Sequence, residues 1–345
     1  MKSYQAAAIR NFAIVGHASA GKTMLSECML TCGGAINRLG SVANGTTQSD
    51  FTVAEKERQI SISAALLHVE WLEKKFNMVD TPGYLDFISE SLGALRVSDF
   101  VVVVVNAAHG LGVGTEQVWK HATEYHLPKI IVLNGLDKEH LNYEDALAKL
   151  RARFGERVLP VSVPLNPGPG FNRLVDVFRN EVTTYQTDGS GQYAESPADG
   201  AAKEQATAWH QQLIEYTAES DDTLLEKFFE KGGLSEEELR AGVHQAFEKQ
   251  SFIPLFCTSA ETNVGVSRLM DFIAKYASSP LDRPKVKGED GNGAEVEIAP
   301  TDASPVLYVF KTSSEGQAGD LSFHKIAAPA SVERRGSSPR CRFRT

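Results

Sequence analysis

Cysteine is scarce: four residues, at positions 28, 32, 257 and 341, are too few and too scattered for a disulfide scaffold. Cys28 and Cys32 stand one helical turn apart, but no His or Cys follows at ligand spacing, so buried small hydrophobes describe them better than a metal pair. Long apolar runs are missing as well. Nothing approaches the roughly eighteen consecutive apolar residues of a membrane span, and the start, Met1-Lys2-Ser3-Tyr4-Gln5, lacks the apolar core of a signal peptide. These absences predict a cytoplasmic chain with no membrane contact. Positive charge is also in short supply. With 35 Lys and Arg against 44 Asp and Glu the net charge is −9, so there is no whole-chain basic footprint for nucleic acid, and an RNA-bearing partner would have to be met through a local patch.

The rest of the composition, 42% hydrophobic and 23% charged, is that of an ordinary globular protein. A length of 345 residues exceeds what one core usually serves, which predicts two domains or one domain with an insertion. The stretch Gly16-His17-Ala18-Ser19-Ala20-Gly21-Lys22-Thr23 organises the chain. It fits G-x-x-x-x-G-K-[ST] and joins the apolar run at 12–15 to the helix-like pattern at 24–30. Glycines let the backbone fold around a polyanion so that N–H groups point inward, and the following helix dipole adds to the attraction. Lys22 would place a cation on the outer phosphates and Thr23 a hydroxyl on Mg²⁺. A bare match to this pattern can arise by accident in a Gly-containing turn; the strand before it and the helix after it weigh against that.

A Gly-, Ser- and Thr-rich span at 33–48 leads to a charged stretch at 50–59 and an alternating one after it. Charge runs are usually solvated faces, yet the position between a phosphate loop and the next motif favours a mobile switch segment, with Ser61 as the hydroxyl near a metal. Residues 67–71 and 76–79 alternate like a hairpin, and the second strand ends in Asp80-Thr81-Pro82-Gly83-Tyr84. Asp-x-x-Gly is weak alone, since Pro-Gly often marks a plain turn. Downstream of a phosphate loop, such an Asp holds Mg²⁺ and the Gly N–H meets the γ-phosphate.

The unbroken apolar runs at 100–105 and 129–133 read as strands buried on both faces of a parallel sheet. The second ends in Asn134-Gly135-Leu136-Asp137. Asp137 is placed to accept from guanine N1–H and N2–H₂, donors that adenine lacks. An ordinary Asn-Gly turn accounts for these four residues equally well in isolation. A last strand, 252–257, ends in Thr258-Ser259-Ala260, which looks like a base-supporting loop. Every motif thus falls at the carboxyl end of a predicted strand, where open α/β sheets bind ligands. The fold class expected is α/β, a doubly wound and mostly parallel sheet of P-loop GTPase type.

Residues 8–323 resemble the translational GTPases, most closely those of elongation factor G type. The likeness rests on the phosphate loop, the stretch 55–62, Asp80-Thr81-Pro82-Gly83, Asn134-x-x-Asp137, Cys257-Thr258-Ser259-Ala260, residues 263–266 and Ser279-Pro280. The long gap between Asp137 and Ser259 is also similar to this family, which carries an inserted subdomain there, expected here over 160–250 with helical patterns at 206–217, 222–229 and 236–249. The resemblance implies GTP or GDP with Mg²⁺ as cofactors, the ribosome as partner, a monomer, and a translocation-type function. Lys22, Gly83 and Tyr84 would be catalytic. Residues 16–23, Asp80, Thr81, Pro82, Gly83, Asn134, Gly135, Leu136, Asp137, Ser259 and Ala260 would hold nucleotide, and Thr23, Ser61 and Asp80 the metal. A non-hydrolysing guanine-nucleotide regulator and a ribosome-protection factor of tetracycline-resistance type are the rivals; a phosphate-loop ATPase or kinase is disfavoured by Asp137.

Several positions depart from the family pattern. Tyr84 stands where the family normally has a water-orienting His, Gly135 where it has Lys, Gln59 where it has Gly, and Ser61 where it has Thr. The GTP-binding domain is expected over 8–280, a linker over 281–303, the start of a β-barrel over 304–323, and a basic tail over 324–345 with Arg334, Arg335, Arg340, Arg342 and Arg344. One or two strands cannot close a barrel, so a truncated or frame-shifted product is expected rather than an RNA-binding arm.

Overall fold

The computed structural model describes residues 2, 4–289, 294–300, 302, 306–315, 319–328 and 342–343. Its centre is a seven-stranded sheet of β1 (Ile9–Val15), β2 (Ala65–Trp71), β3 (Lys74–Asp80), β4 (Phe100–Asn106), β5 (Lys129–Asn134), β6 (Val158–Pro160) and a later strand at Ile253–Thr258. That later strand is β11, because β7 (Ser162–Pro164), β8 (Arg173–Asp176), β9 (Glu181–Tyr185) and β10 (Tyr193–Pro197) form a separate antiparallel sheet first. The order of the large sheet is β2-β3-β1-β4-β5-β11-β6, parallel except for the β2–β3 hairpin. The mostly parallel α/β fold expected from the sequence is therefore the fold observed.

The reason lies in the strands themselves. Every residue of β5 and β11, and all of β4 but Asn106, is buried, which only a strand covered on both faces permits. The helices are α1 (Lys22–Cys32), α2 (Val53–Arg58), α3 (Ile88–Val97), α4 (Val113–Glu124), α5 (Tyr143–Phe154), α6 (Gly200–Ala218), α7 (Asp222–Lys231), α8 (Glu236–Glu248) and α9 (Val266–Tyr276). Side-chain caps set several starts: Asn142 accepts from the Asp145 N–H, Asp221 from the Thr223 and Leu224 N–H groups, and Ser235 forms a capping box with Glu238. The β2–β3 turn is made by Leu72 and Glu73, both at positive φ, the twist that a tight antiparallel connection prefers.

A chain of rings runs through the core. Phe12 stacks on Phe100 at 4.9 Å and meets Phe76 edge-on; Phe100 meets Phe247, and Phe247 and Phe256 both meet Phe272 edge-on. Truncating one such buried ring to Ala costs about 3–5 kcal/mol. The segment between β6 and β11, α6 to α8 with the second sheet, is tied to α9 by the buried Arg268. Its guanidinium lies 3.6 Å from both Asp176 and Asp271 and pairs with Glu195.

The region expected to be a linker carries structure. Ser279 and Asp282 form a capping box on a short helical turn at Pro280–Asp282, and β12 (Val286–Glu289) pairs antiparallel with β13 (Glu295–Ile298). In β13, Val296 and Ile298 alternate with Glu295 and Glu297, a strand period that the acidic composition masks. Beyond them β14 (Val306–Glu315) and β15 (Gly319–Ala328) form one antiparallel hairpin, so strand pairing runs past Phe323. A two-residue strand, Arg342–Phe343, pairs with β12. Residues 329–341, 344 and 345 of the expected tail, Cys341 among them, lie outside the described residues. Among the described residues, no helix is long and apolar enough to cross a membrane.

Candidate functional site

Adjacent strands β3, β1, β4, β5 and β11 deliver their carboxyl ends to one edge of the sheet, and the predicted residues arrive there together. The phosphate-loop pattern fills the turn between β1 and α1. Gly21, at φ +92, caps α1; a Cβ there would run into the Asn134 amide. His17 is pinned from the side: its N–H donates to Thr115 Oγ1 at 3.1 Å and its Nδ1 accepts from the Gly114 N–H. The Ser19 carbonyl accepts from Asn106 and the Ala20 carbonyl from Asn134 at 3.0 Å, which fastens the loop to β4 and β5.

Lys22 donates to the His17 carbonyl at 2.9 Å. Burial pushes its ammonium down to about 8 against the upward pull of Asp80 and Asp50, the condition of a cation lacking a full counter-charge. Thr23 donates to Asp80 Oδ2 at 2.9 Å and lies 3.2 Å from the Ser61 hydroxyl, so the three residues expected at a metal converge. Asp80 is raised to about 6, chiefly by burial and against the Lys22 charge, and its Oδ1 is buried with no hydrogen-bond partner among the described residues. Thr81 is anchored by its hydroxyl to the Ile14 carbonyl at 2.8 Å, and the Pro82 carbonyl accepts from Ser91. Gly83 passes so close to the phosphate loop that a Cβ would meet Lys22 Nζ and the Ala18 backbone. A cavity opens here, lined by Ala18, Lys22, Thr23, Ser61, Gly83 and the half-exposed Tyr84.

At the other end of the edge, Asn134 links three segments. Its amide N–H donates to Ala20, while its carbonyl oxygen accepts from the Thr258 hydroxyl at 3.1 Å and the Ala260 N–H at 2.9 Å. The Gly135 and Leu136 N–H groups both donate to the Thr258 carbonyl, and Ser259 and Val264 exchange backbone bonds. The turn that carries Asp137 is thereby tied to the end of β11, and Asp137 Oδ1 is buried with no hydrogen-bond partner among the described residues. Every predicted site residue is at this edge.

Sequence reasoning missed four residues here. Asp50 lines the cavity, burial raises its carboxyl, and a Ser61 hydrogen bond opposes that shift. Glu55 is fully buried and accepts from the Ile62 and Ser63 N–H groups at 3.1 Å each and from the Thr52 N–H at 3.1 Å. The Thr52-x-x-Glu55 capping box was a readable signal for it; Asp50 had none. Lys138 and Glu261 join the two base-side loops through space, which no local pattern announces.

The profile of the elongation factor Tu GTP binding domain matches residues 7–279. The chain belongs to this family of GTP-binding domains. Within it the chain is similar to elongation factor G of Fervidobacterium nodosum, with 34% identity over 319 residues, 92% of this chain and 46% of that protein. A crystal structure of a Thermus thermophilus protein superposes with a TM-score of 0.81 at 29% identity, covering 94% of this chain and 46% of that one. This GTP-binding-domain chain therefore spans about half the length of the relatives it matches.

Proposed function

We propose that the chain is the nucleotide-hydrolysing part of a translation factor of elongation factor G type, cleaving GTP to GDP and phosphate with Mg²⁺ and acting on the ribosome in a translocation-type step. The observation that carries the reading is Asp137. A buried carboxylate oxygen without a donor costs about 1–3 kcal/mol or more, and guanine N1–H and N2–H₂ are donors of the kind that satisfy it. Asn134 holds that carboxylate's loop and the phosphate loop in one frame.

The donor set fits Mg²⁺: two hydroxyls and a carboxylate, all oxygen, with Asp80 Oδ1 orphaned and buried beside them. Thr23 and Ser61 would hold the ion, and Asp80 would hold it through water. The ion would supply charge neutralisation on the outer phosphates. Lys22 and the N–H groups around Gly21 grip those phosphates, and their negative charge restores the counter-ion that Lys22 lacks. The Gly83 N–H would meet the γ-phosphate, since Gly83 lines the same cavity. Tyr84, on the same cavity, orients the attacking water through its phenol. The domain in this reading runs over 8–280, with 160–250 inserted in it.

The test is Mg²⁺-dependent nucleotide binding by the purified chain, wild type and Asp137→Asn, with GTP, ATP and xanthosine triphosphate. Asparagine donates to the xanthine O2, so the expected outcome is GTP preferred by the wild type and xanthosine triphosphate by the variant. A wild-type chain that binds no nucleotide overturns the reading.

A further inference from the structure

We propose that Lys138 is a positioning residue for guanine recognition: it fixes the Asp137 carboxylate from the side in a chain whose position 135 offers no side chain to brace the base. The proposal rests on the guanine-binding reading above and extends it to a residue outside the Asn134-x-x-Asp137 pattern.

Lys138 Nζ lies 3.1 Å from Asp137 Oδ2 and donates to Glu261 on the loop after β11. One ammonium thus spans the two loops between which a base would lie. Asp137 is 12% exposed, and its oxygens are in different states: Oδ2 faces Lys138, whereas Oδ1 is buried with no hydrogen-bond partner among the described residues. A carboxylate turns about a broad two-fold torsion, so an unrestrained Asp137 would trade its oxygens or swing toward solvent. The backbone does not stop that. The Gly135 and Leu136 N–H bonds to the Thr258 carbonyl and the burial of Leu136 fix the main chain only. Lys138 fixes the remaining torsion and leaves Oδ1 aimed at the incoming N1–H.

Position 135 shows why the brace comes from the flank. Gly135 stands at φ +83, and the nearest atom to the side chain it lacks is the Asn106 amide, 3.9 Å away. Nothing from 135 reaches Asp137. The hydrogen bond to Glu261 first, and Asp137 after it, hold Lys138 above its ordinary pKa, so it remains a cation throughout a neutral assay. Lys138 is 48% exposed, and partly solvated ion pairs are weak; the effect expected is therefore a change of about fivefold in nucleotide affinity, not a loss of binding.

The experiment is equilibrium binding of GDP and xanthosine diphosphate, with Mg²⁺, to the full chain as wild type, Lys138→Ala, Lys138→Arg, Asp137→Asn and the Lys138→Ala/Asp137→Asn double variant. Lys138→Ala should weaken GDP about fivefold and Lys138→Arg should recover all but about twofold of it. In the Asp137→Asn background the amide has no ionic tie to lose, so Lys138→Ala should leave xanthosine diphosphate affinity unchanged. Wild-type GDP affinity in Lys138→Ala overturns the proposal. So does an equal loss with both nucleotides, which would make Lys138 a plain brace between loops. If the wild type binds GDP and Asp137→Asn moves preference to xanthine, either result removes Lys138 alone; if the wild type binds nothing, the guanine reading falls with it.

Discussion

In the proposed hydrolysis, Tyr84 is the residue most directly tied to the rate. It lines the same cavity as Lys22, Ser61 and Gly83, but a phenol has no ring nitrogen to become the imidazolium that a His at the family position supplies near neutrality. Tyr84→His should therefore raise ribosome-stimulated GTP turnover while nucleotide affinity stays the same; a turnover number that does not rise removes Tyr84 as the limiting feature. Losing a complete arginine-finger contact costs about 10³–10⁵ in rate, so a misplaced water contact is expected to cost less. Gln59, another departure from the family pattern, stands where the backbone favours the family's glycine. It ends α2 in the left-handed region at φ +55, the conformation for which a glycine is the cheaper choice, and its amide donates to the Ala43 carbonyl at 3.4 Å.

Among the elements, α2 owes its shape to one side chain. With six residues it is too short to persist alone, and Glu55 ties its start to the segment carrying Ser61 through the Ile62 and Ser63 N–H groups. The junction of α8 with the turn after α9 is governed by a titrating pair. His244 donates through Nδ1 to the Tyr276 carbonyl and faces Asp282 Oδ1 through Nε2 at 3.3 Å. Glu248 also converges there, but it accepts from Ser278, and Asp282 Oδ2 accepts from Ser279, so the polar atoms of this trio are already engaged. The Asp282 hydrogen bond raises the His244 pKa; Asp282 itself, against the upward push of burial, is held down to about 2 by His244 and Ser279. The raised His stabilises the fold fully below its unfolded value near 6.5 and loses that contribution as pH rises through the folded value. The depressed Asp contributes above its unfolded value near 3.9 and stops as pH falls toward 2. The melting temperature of the wild type should thus fall from pH 6 to pH 8 relative to that of His244→Gln; parallel profiles for the two would contradict the pairing.

Across the whole molecule, the β14–β15 hairpin is docked by two lysines. Lys311 donates to the Ala64 carbonyl at 2.8 Å and to Glu90 at 2.9 Å, and Glu90 also accepts the Ala64 N–H, so the hairpin grips the segment just after Ser61 and the first turn of α3 together. Lys325 pairs with the buried Asp99 at the other end of α3 and donates to the Val97 carbonyl. Burial presses the Lys325 pKa down and Asp99 opposes it. Removing one partner of a buried pair strands the other, at about 3–5 kcal/mol. Lys325→Met should therefore destabilise the chain by roughly that amount and speed amide exchange across 306–328, whereas Lys311→Met should cost less because Glu90 is partly solvated and keeps the Ala64 N–H. Equal melting temperatures for the two variants would refute this ranking.

The sequence alone determined six of the seven strands of the large sheet, its mostly parallel character and the identity of the residues at the strands' carboxyl ends, because unbroken apolar runs can be buried in few ways and a phosphate loop has a fixed spacing. It also determined where the departures lie, at Tyr84, Gln59 and Gly135. Only the tertiary structure decided what joins those ends. Asn134 bonding Ala20 and Ala260, Glu55 holding Ile62, Asp50 beside Ser61, Lys138 reaching Glu261, and Lys325 on Asp99 are contacts across long stretches of chain or around a turn. Such contacts depend on burial and through-space charge, which have no period along the chain; the strands and the loop were legible because theirs is local.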